Sequence, residues 1–109
     1  MSDTAYHYYP ICARADLPTG ERLFLEINNV AVVVFNIDGS YYAMDDVCTH
    51  DSGPLGEGDL EGFEISCPRH GARFDVRNGK VLCPPAAIND RIYPVILDGD
   101  DIKIGLPSS

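Results

Sequence analysis

Four of the cysteine and histidine side chains fall into two matching pairs. Cys48-Thr49-His50 is followed, after sixteen residues, by Cys67-Pro68-Arg69-His70. Each segment offers one thiolate and one imidazole, both of which bind metals. Residues two apart in an extended segment point to the same side, which suits Cys48 and His50. Pro68 fixes φ and favours a tight turn, bringing His70 round to the side of Cys67. Two such loops set side by side by a hairpin make a site of two sulfurs and two ring nitrogens. A zinc site takes the same residue types, but structural zinc usually uses cysteines two to four residues apart. Cys-x-His lacks that spacing. Buried core cysteines with unrelated histidines are a still weaker alternative.

The elements that must hold these loops read as strands nearly throughout. Leu23, Leu25 and Ile27 alternate with Arg22, Phe24 and Glu26, the period of a half-buried strand. Phe63 and Ile65 alternate with Glu64 and Ser66, and Ile102, Ile104 and Leu106 with Asp101, Lys103 and Gly105. The run from Val30 to Phe35 is continuously apolar and β-branched, as in a strand buried on both faces. Asp38-Gly39, Asn78-Gly79 and Asp98-Gly99 separate such runs and predict hairpins, because both residues of each pair tolerate positive φ. Glu61-Gly62 predicts a fourth, and Ile92–Leu97 reads as one strand. The expected fold class is all-β, an antiparallel sandwich or small barrel built from hairpins, with a subdomain of two loops. No segment reads as a helix. The strand pattern breaks at Cys48 to Asp59 and at Cys67 to Ala72, and loops on a rigid sheet are where sites usually sit.

At 109 residues the chain is expected to be one domain spanning 1–109. Eight Lys and Arg face seventeen Asp and Glu, a net charge of −9, which argues against nucleic acid and against an anionic membrane surface. It favours partners with basic docking surfaces, although acidity also serves solubility alone. The first ten residues lack the basic and apolar regions of a signal peptide, and the longest apolar run is far too short to span a bilayer. A cytoplasmic location is expected, where cysteines serve metals more often than disulfides.

The stretch Cys-Thr-His…Cys-Pro-Arg-His-Gly-Ala-Arg-Phe-Asp resembles the Rieske ferredoxins that feed electrons to bacterial aromatic-ring-hydroxylating dioxygenases. The likeness extends to Leu17-Pro18-Thr19-Gly20, to Asp38-Gly39 with Tyr42-Ala43, and to Gly79-Lys80-Val81. It implies one Rieske 2Fe–2S cluster, with Cys48 and Cys67 on one iron and His50 and His70 on the other. The binding loops would span about 45–59 and 66–85, with Pro84-Pro85 in a third covering segment. High-potential Rieske proteins of respiratory complexes carry an extra cysteine in each loop and Ser and Tyr hydroxyls after the last histidine. Gly53 and Arg69 stand at those cysteine positions, and Ala72 and Phe74 where the hydroxyls would be. Hydrogen bonds to the sulfurs stabilise a reduced cluster, so a potential near the bottom of the Rieske range of roughly −150 to +300 mV is expected.

The resemblance further implies a circuit from an NAD(P)H-dependent flavoprotein reductase, through this chain as a monomer, to a terminal aromatic-ring dioxygenase. Electrons would leave by the edge of His50 or His70, inside a dry rim of Pro54, Leu55, Pro68, Pro84 and Pro85. A self-sufficient oxygenase would need a further two-histidine, one-carboxylate site, and only His7 is unspent. No strand–G-x-G-x-x-G–helix unit is present for a nicotinamide or flavin. A structural module without a cluster, like the small subunit of assimilatory nitrite reductase, typically lacks the four ligands. Among the remaining residues, Cys12 and Cys83 read as two small packed thiols, with a mutual disulfide as the alternative. His7 reads as an edge-strand or surface residue, Arg69 as paired with a carboxylate such as Asp51, and Asp45-Asp46 as a solvated turn.

Overall fold

The computed structural model describes residues 5–49, 53–68, 71–84, 86 and 88–107. Its strands are β1 (Tyr6–Ala13), β2 (Arg22–Ile27), β3 (Val30–Ile37), β4 (Ser40–Asp45), β5 (Leu60–Glu61), β6 (Glu64–Ser66), β7 (Arg73–Asp75), β8 (Val81–Cys83), β9 (Ile92–Tyr93), β10 (Val95–Asp98) and β11 (Asp101–Pro107). Among the described residues the only helical turn is a 3-10 turn at Arg14–Asp16, where the Ala13 N–H donates to Asp16 Oδ2 at 3.2 Å. The strands form three antiparallel sheets, ordered β1-β11-β10, β2-β3-β4-β9 and β5-β6-β7-β8. The all-β, antiparallel, hairpin-built fold expected from sequence is the one observed.

β3 explains the layering. Its side chains alternate between two cores. Val32 and Val34 pack with Leu17, Tyr93, Ile102, Ile104 and Leu106 toward the β1-β11-β10 sheet. Val33 and Phe35 pack with Met44, Leu55, Ile65, Phe74 and Val76 toward the β5-β6-β7-β8 sheet. β3 is therefore buried on both faces, the physical reason for its unbroken apolar run. Each such side chain contributes roughly 1.5–3 kcal/mol on full burial.

The turns follow their local chemistry. Asp38 and Gly39 both have positive φ (53° and 89°) between β3 and β4, as a two-residue hairpin with right-handed strand twist requires. A turn of the same kind that the sequence reading passed over joins β2 to β3 through Asn28 and Asn29, at φ 52° and 66°. Two strand expectations are corrected. Phe63 lies in the β5–β6 turn rather than in a strand, its ring edge-on to Tyr42 and beneath the Arg77 guanidinium. The run Ile92–Leu97 is split at Pro94: β9 pairs with β4 in the central sheet, whereas β10 pairs with β11 in the outer one. Proline has no N–H for a ladder and marks the change of sheet. β1 was also unanticipated. It forms an outer edge with His7 exposed, as expected for an edge residue, and a bulge between Pro10 and Cys12.

Candidate metal centre

Three connections run out from the β5-β6-β7-β8 sheet: β4 to β5, β6 to β7, and β8 to β9. The first two open with Cys48 and Cys67, and they open in the same way. The Cys48 N–H donates to Gly53 O at 2.7 Å, and the Cys67 N–H donates to Ala72 O at 2.7 Å. Each cysteine thus begins a six-residue arc closed by a bond to the fifth residue on, with a histidine inside each arc. In the second, the Gly71 N–H also donates to Cys67 O at 3.1 Å.

Both cysteines are buried in one cluster with Leu55, Ala72, Phe74 and, from the third connection, Ala86. All four cysteines of the chain carry thiols. Two buried sulfurs brought into one core by matching arcs fit a cluster that needs two thiolates on one iron. His50, His70, Asp51, Arg69 and Pro85 lie outside the described residues, so the described part of the expected ligand set is Cys48 and Cys67. Ala72 and Phe74, at the positions of the missing hydroxyls, are fully buried and carry no side-chain hydroxyl. The third connection is tied to the first by the Thr49 hydroxyl, which donates to Ile88 O at 2.6 Å. That bond holds Ile88, 67% exposed, beside the Cys48 arc, and Pro54, Pro68 and Pro84 are also exposed. Leu55 belongs to the buried cluster, not to the rim expected from sequence.

The two aspartates before Cys48 are not a solvated turn. Asp46 Oδ1 accepts from the Leu55 N–H at 3.0 Å and from the Gly56 N–H at 2.6 Å. Asp45 Oδ1 accepts a short hydrogen bond from the Tyr93 hydroxyl, and burial followed by that contact raises the Tyr93 pKa above its ordinary value. Short polar side chains satisfying loop amides are a recognised use of aspartate, but partners nine and ten residues away leave no local mark in sequence. Asp90, leading into β9, is the other group sequence reasoning missed. It is buried, its Oδ1 accepts from the Arg91 N–H at 3.0 Å, and its Oδ2 has no hydrogen-bond partner among the described residues. Burial, with lesser repulsion from Asp45 and Asp46, pushes its pKa up to about 8.

Cys12 and Cys83 are not bonded to each other. Cys12 packs at the margin of the outer core, where burial and then Asp16 raise its thiol pKa, and Cys83 is half-buried in β8.

A family model described as the Rieske [2Fe-2S] domain matches residues 7–94. The chain is 37% identical over 91 residues (84% of this chain, 88% of the relative) to the ferredoxin component of the naphthalene 1,2-dioxygenase system of Pseudomonas aeruginosa. It is 40% identical over 99 residues (90% of this chain, 92% of the relative) to the 3-phenylpropionate/cinnamic acid dioxygenase ferredoxin subunit of Escherichia coli K12. Among solved structures it resembles the complex of reduced oxygenase and oxidized ferredoxin in carbazole 1,9a-dioxygenase, with TM-score 0.82, 26% identity, and 89% of this chain and 91% of that chain covered.

Proposed function

Because the chain belongs to the Rieske 2Fe–2S domain family, matched over residues 7–94, we propose that it is a low-potential one-electron carrier between a reductase and a terminal oxygenase. It is a ferredoxin-type component with one Rieske cluster, not an enzyme. The observation that carries the reading is the pair of matching arcs with Cys48 and Cys67 buried in one core. Cys48 and Cys67 would hold one iron, and His50 and His70 the other. Bound there, the cluster supplies a centre that accepts and releases one electron.

The chain's own residues set the conditions of that exchange. Leu55, Ala72, Phe74 and Ala86 exclude water from the sulfur side. The absence of hydroxyls at 72 and 74, together with a net charge of −9, disfavours an added electron and supports a potential low in the Rieske range. Pro54, Pro68, Pro84 and Ile88, exposed along the three loop connections, offer apolar surface within an acidic protein. Such a surface fits a small, transient redox interface, with charge steering the encounter.

The electron donor in this reading is an NAD(P)H-dependent flavoprotein reductase, and the acceptor a terminal aromatic-ring dioxygenase. The named dioxygenase systems of the relatives and the oxygenase–ferredoxin complex support this circuit. The chain is read as a cytoplasmic monomer, one domain over 1–109 with ligand loops about 45–59 and 66–85. No helix among the described residues is long and apolar enough to cross a membrane.

EPR of the dithionite-reduced protein, with iron and sulfide assayed on the same sample, tests the reading. A rhombic Rieske-type signal with about two irons and two sulfides per chain is expected. Zinc in anaerobically purified protein, with no signal, would overturn it.

A further inference from the structure

The carrier reading leaves open what fixes the first ligand loop against the second. Past its closed arc, the first loop runs through Gly56 and Gly58 before reaching β5. The Arg22 guanidinium, reaching across from β2, donates through Nη1 a short hydrogen bond to Gly56 O and a second, of 2.8 Å, to Gly58 O. From the end of β4, Asp46 Oδ1 takes the Leu55 and Gly56 N–H groups. Gly56 is therefore held at its N–H by an anion and at its carbonyl by a cation, both anchored in the central sheet. Arg22 is itself braced over the buried Phe35 ring, 5.4 Å from its centroid.

The glycines let this grip act at close range. A Cβ on Gly56 would stand 2.8 Å from the Phe24 ring and 2.9 Å from Val33, so the loop lies directly on the sheet. A Cβ on Gly58 would stand 1.6 Å from Ser66 O, a backbone atom that cannot move aside. Ser66 is the residue before Cys67, and its N–H donates to Asp59 O at 2.9 Å. The limb held by Arg22 and Asp46 thus lies backbone to backbone on the approach to the second cysteine.

We propose that Arg22 and Asp46 are positioning residues that grip Gly56 at its N–H and its carbonyl and so set the Cys48 loop in register with the Cys67 loop. Their charges also act on the same loop: the cation favours, and the anion disfavours, an electron added beyond it. The inference rests on the ligand reading above. Neither residue is proposed to touch the cluster.

The test uses the full chain with its cluster in place. In Arg22→Met, which keeps the stem over Phe35, the Leu55, Gly56 and Gly58 amides should exchange at least about tenfold faster, a loss of about 1.4 kcal/mol of local protection. The one-electron reduction constant should fall about tenfold, or about 59 mV, and the EPR lines should broaden. Arg22→Lys should recover part of each. Asp46→Asn keeps an acceptor oxygen and should retain amide protection while the potential rises; Asp46→Ala should lose protection. Because a purely structural role would not move the potential, a lowered melting temperature in Arg22→Met with unchanged exchange, lines and potential would overturn the proposal. Should Arg22→Met fail to fold, equal exchange in Asp46→Ala and Asp46→Asn would overturn it instead. Absence of the Rieske signal in the wild type would sink the carrier reading and this inference together. Its presence with unmoved variants would sink this inference alone.

Discussion

Asp90, only 6% exposed and with one oxygen unpartnered among the described residues, places a proton-binding group in the interior. Its folded pKa of about 8 lies far above the ordinary 3.8, so between those values the folded form keeps a proton that the unfolded chain releases. Stability from this group is complete below about pH 4 and is lost as pH rises toward about 8. Asp90→Asn should therefore be more stable than the wild type at pH 8, by on the order of a few kcal/mol, the gap closing toward pH 4. An unchanged gap across that range would show that Asp90 does not titrate this way. Asp75 works in the opposite sense. The Arg77 guanidinium, at 2.8 Å, holds its carboxyl below the usual range, so its contribution is present above the unfolded pKa and fades with acid. Phe74 bears on the potential. It is fully buried in the cluster that contains both cysteines, and Phe74→Tyr places a hydroxyl among them. Voltammetry should show a raised potential, since a donor to a cysteine sulfur favours the reduced state.

Turns and strands record their chemistry locally, and the sequence could be read there with most success. The glycines of Asn78-Gly79 and Asp98-Gly99 take positive φ while Asn78 and Asp98 do not, and Asp98 itself lies in β10; Asp38-Gly39, with positive φ at both residues, joins β3 to β4 as expected. Asn28-Asn29 adopts the same geometry without glycine. Asn29→Gly removes the cost of a side chain at φ 66° and should stabilise the β2–β3 hairpin by up to about 1 kcal/mol, read as a higher melting temperature. Cys48 and Cys67, which the fold buries in one core, were legible for a similar reason: residue types and spacing sit within each loop. What escaped the sequence acts across it. Arg22 meets carbonyls more than thirty residues on, and Asp46 reaches amides nine and ten residues on. The strand break at Pro94 depends on which sheet lies nearby, and the burial of Asp90 on the fold closing over it. The Thr49–Ile88 bond is likewise non-local. Thr49→Val should loosen the third connection, seen as faster amide exchange over residues 86–89, with the β2–β3 hairpin unaffected.

For the whole molecule, charge governs encounter. At a net −9, the bimolecular rate of electron transfer to a partner with a basic face should fall steeply as ionic strength rises through the range where the Debye length drops to about 8 Å. A rate independent of salt would mean that the acidity serves solubility alone. The double burial of β3 has its own thermodynamic reach. Val32 and Val34 belong to one core, Val33 and Phe35 to the other, on a single backbone. Neither half can melt and leave that strand in place for its neighbour, so the two layers should unfold as one cooperative unit with coincident probes. Stripping the cluster should then lower amide protection at Ile102 and Ile104, in the far sheet, as well as beside the cysteines, making the strand a mechanical link between metal content and global lifetime.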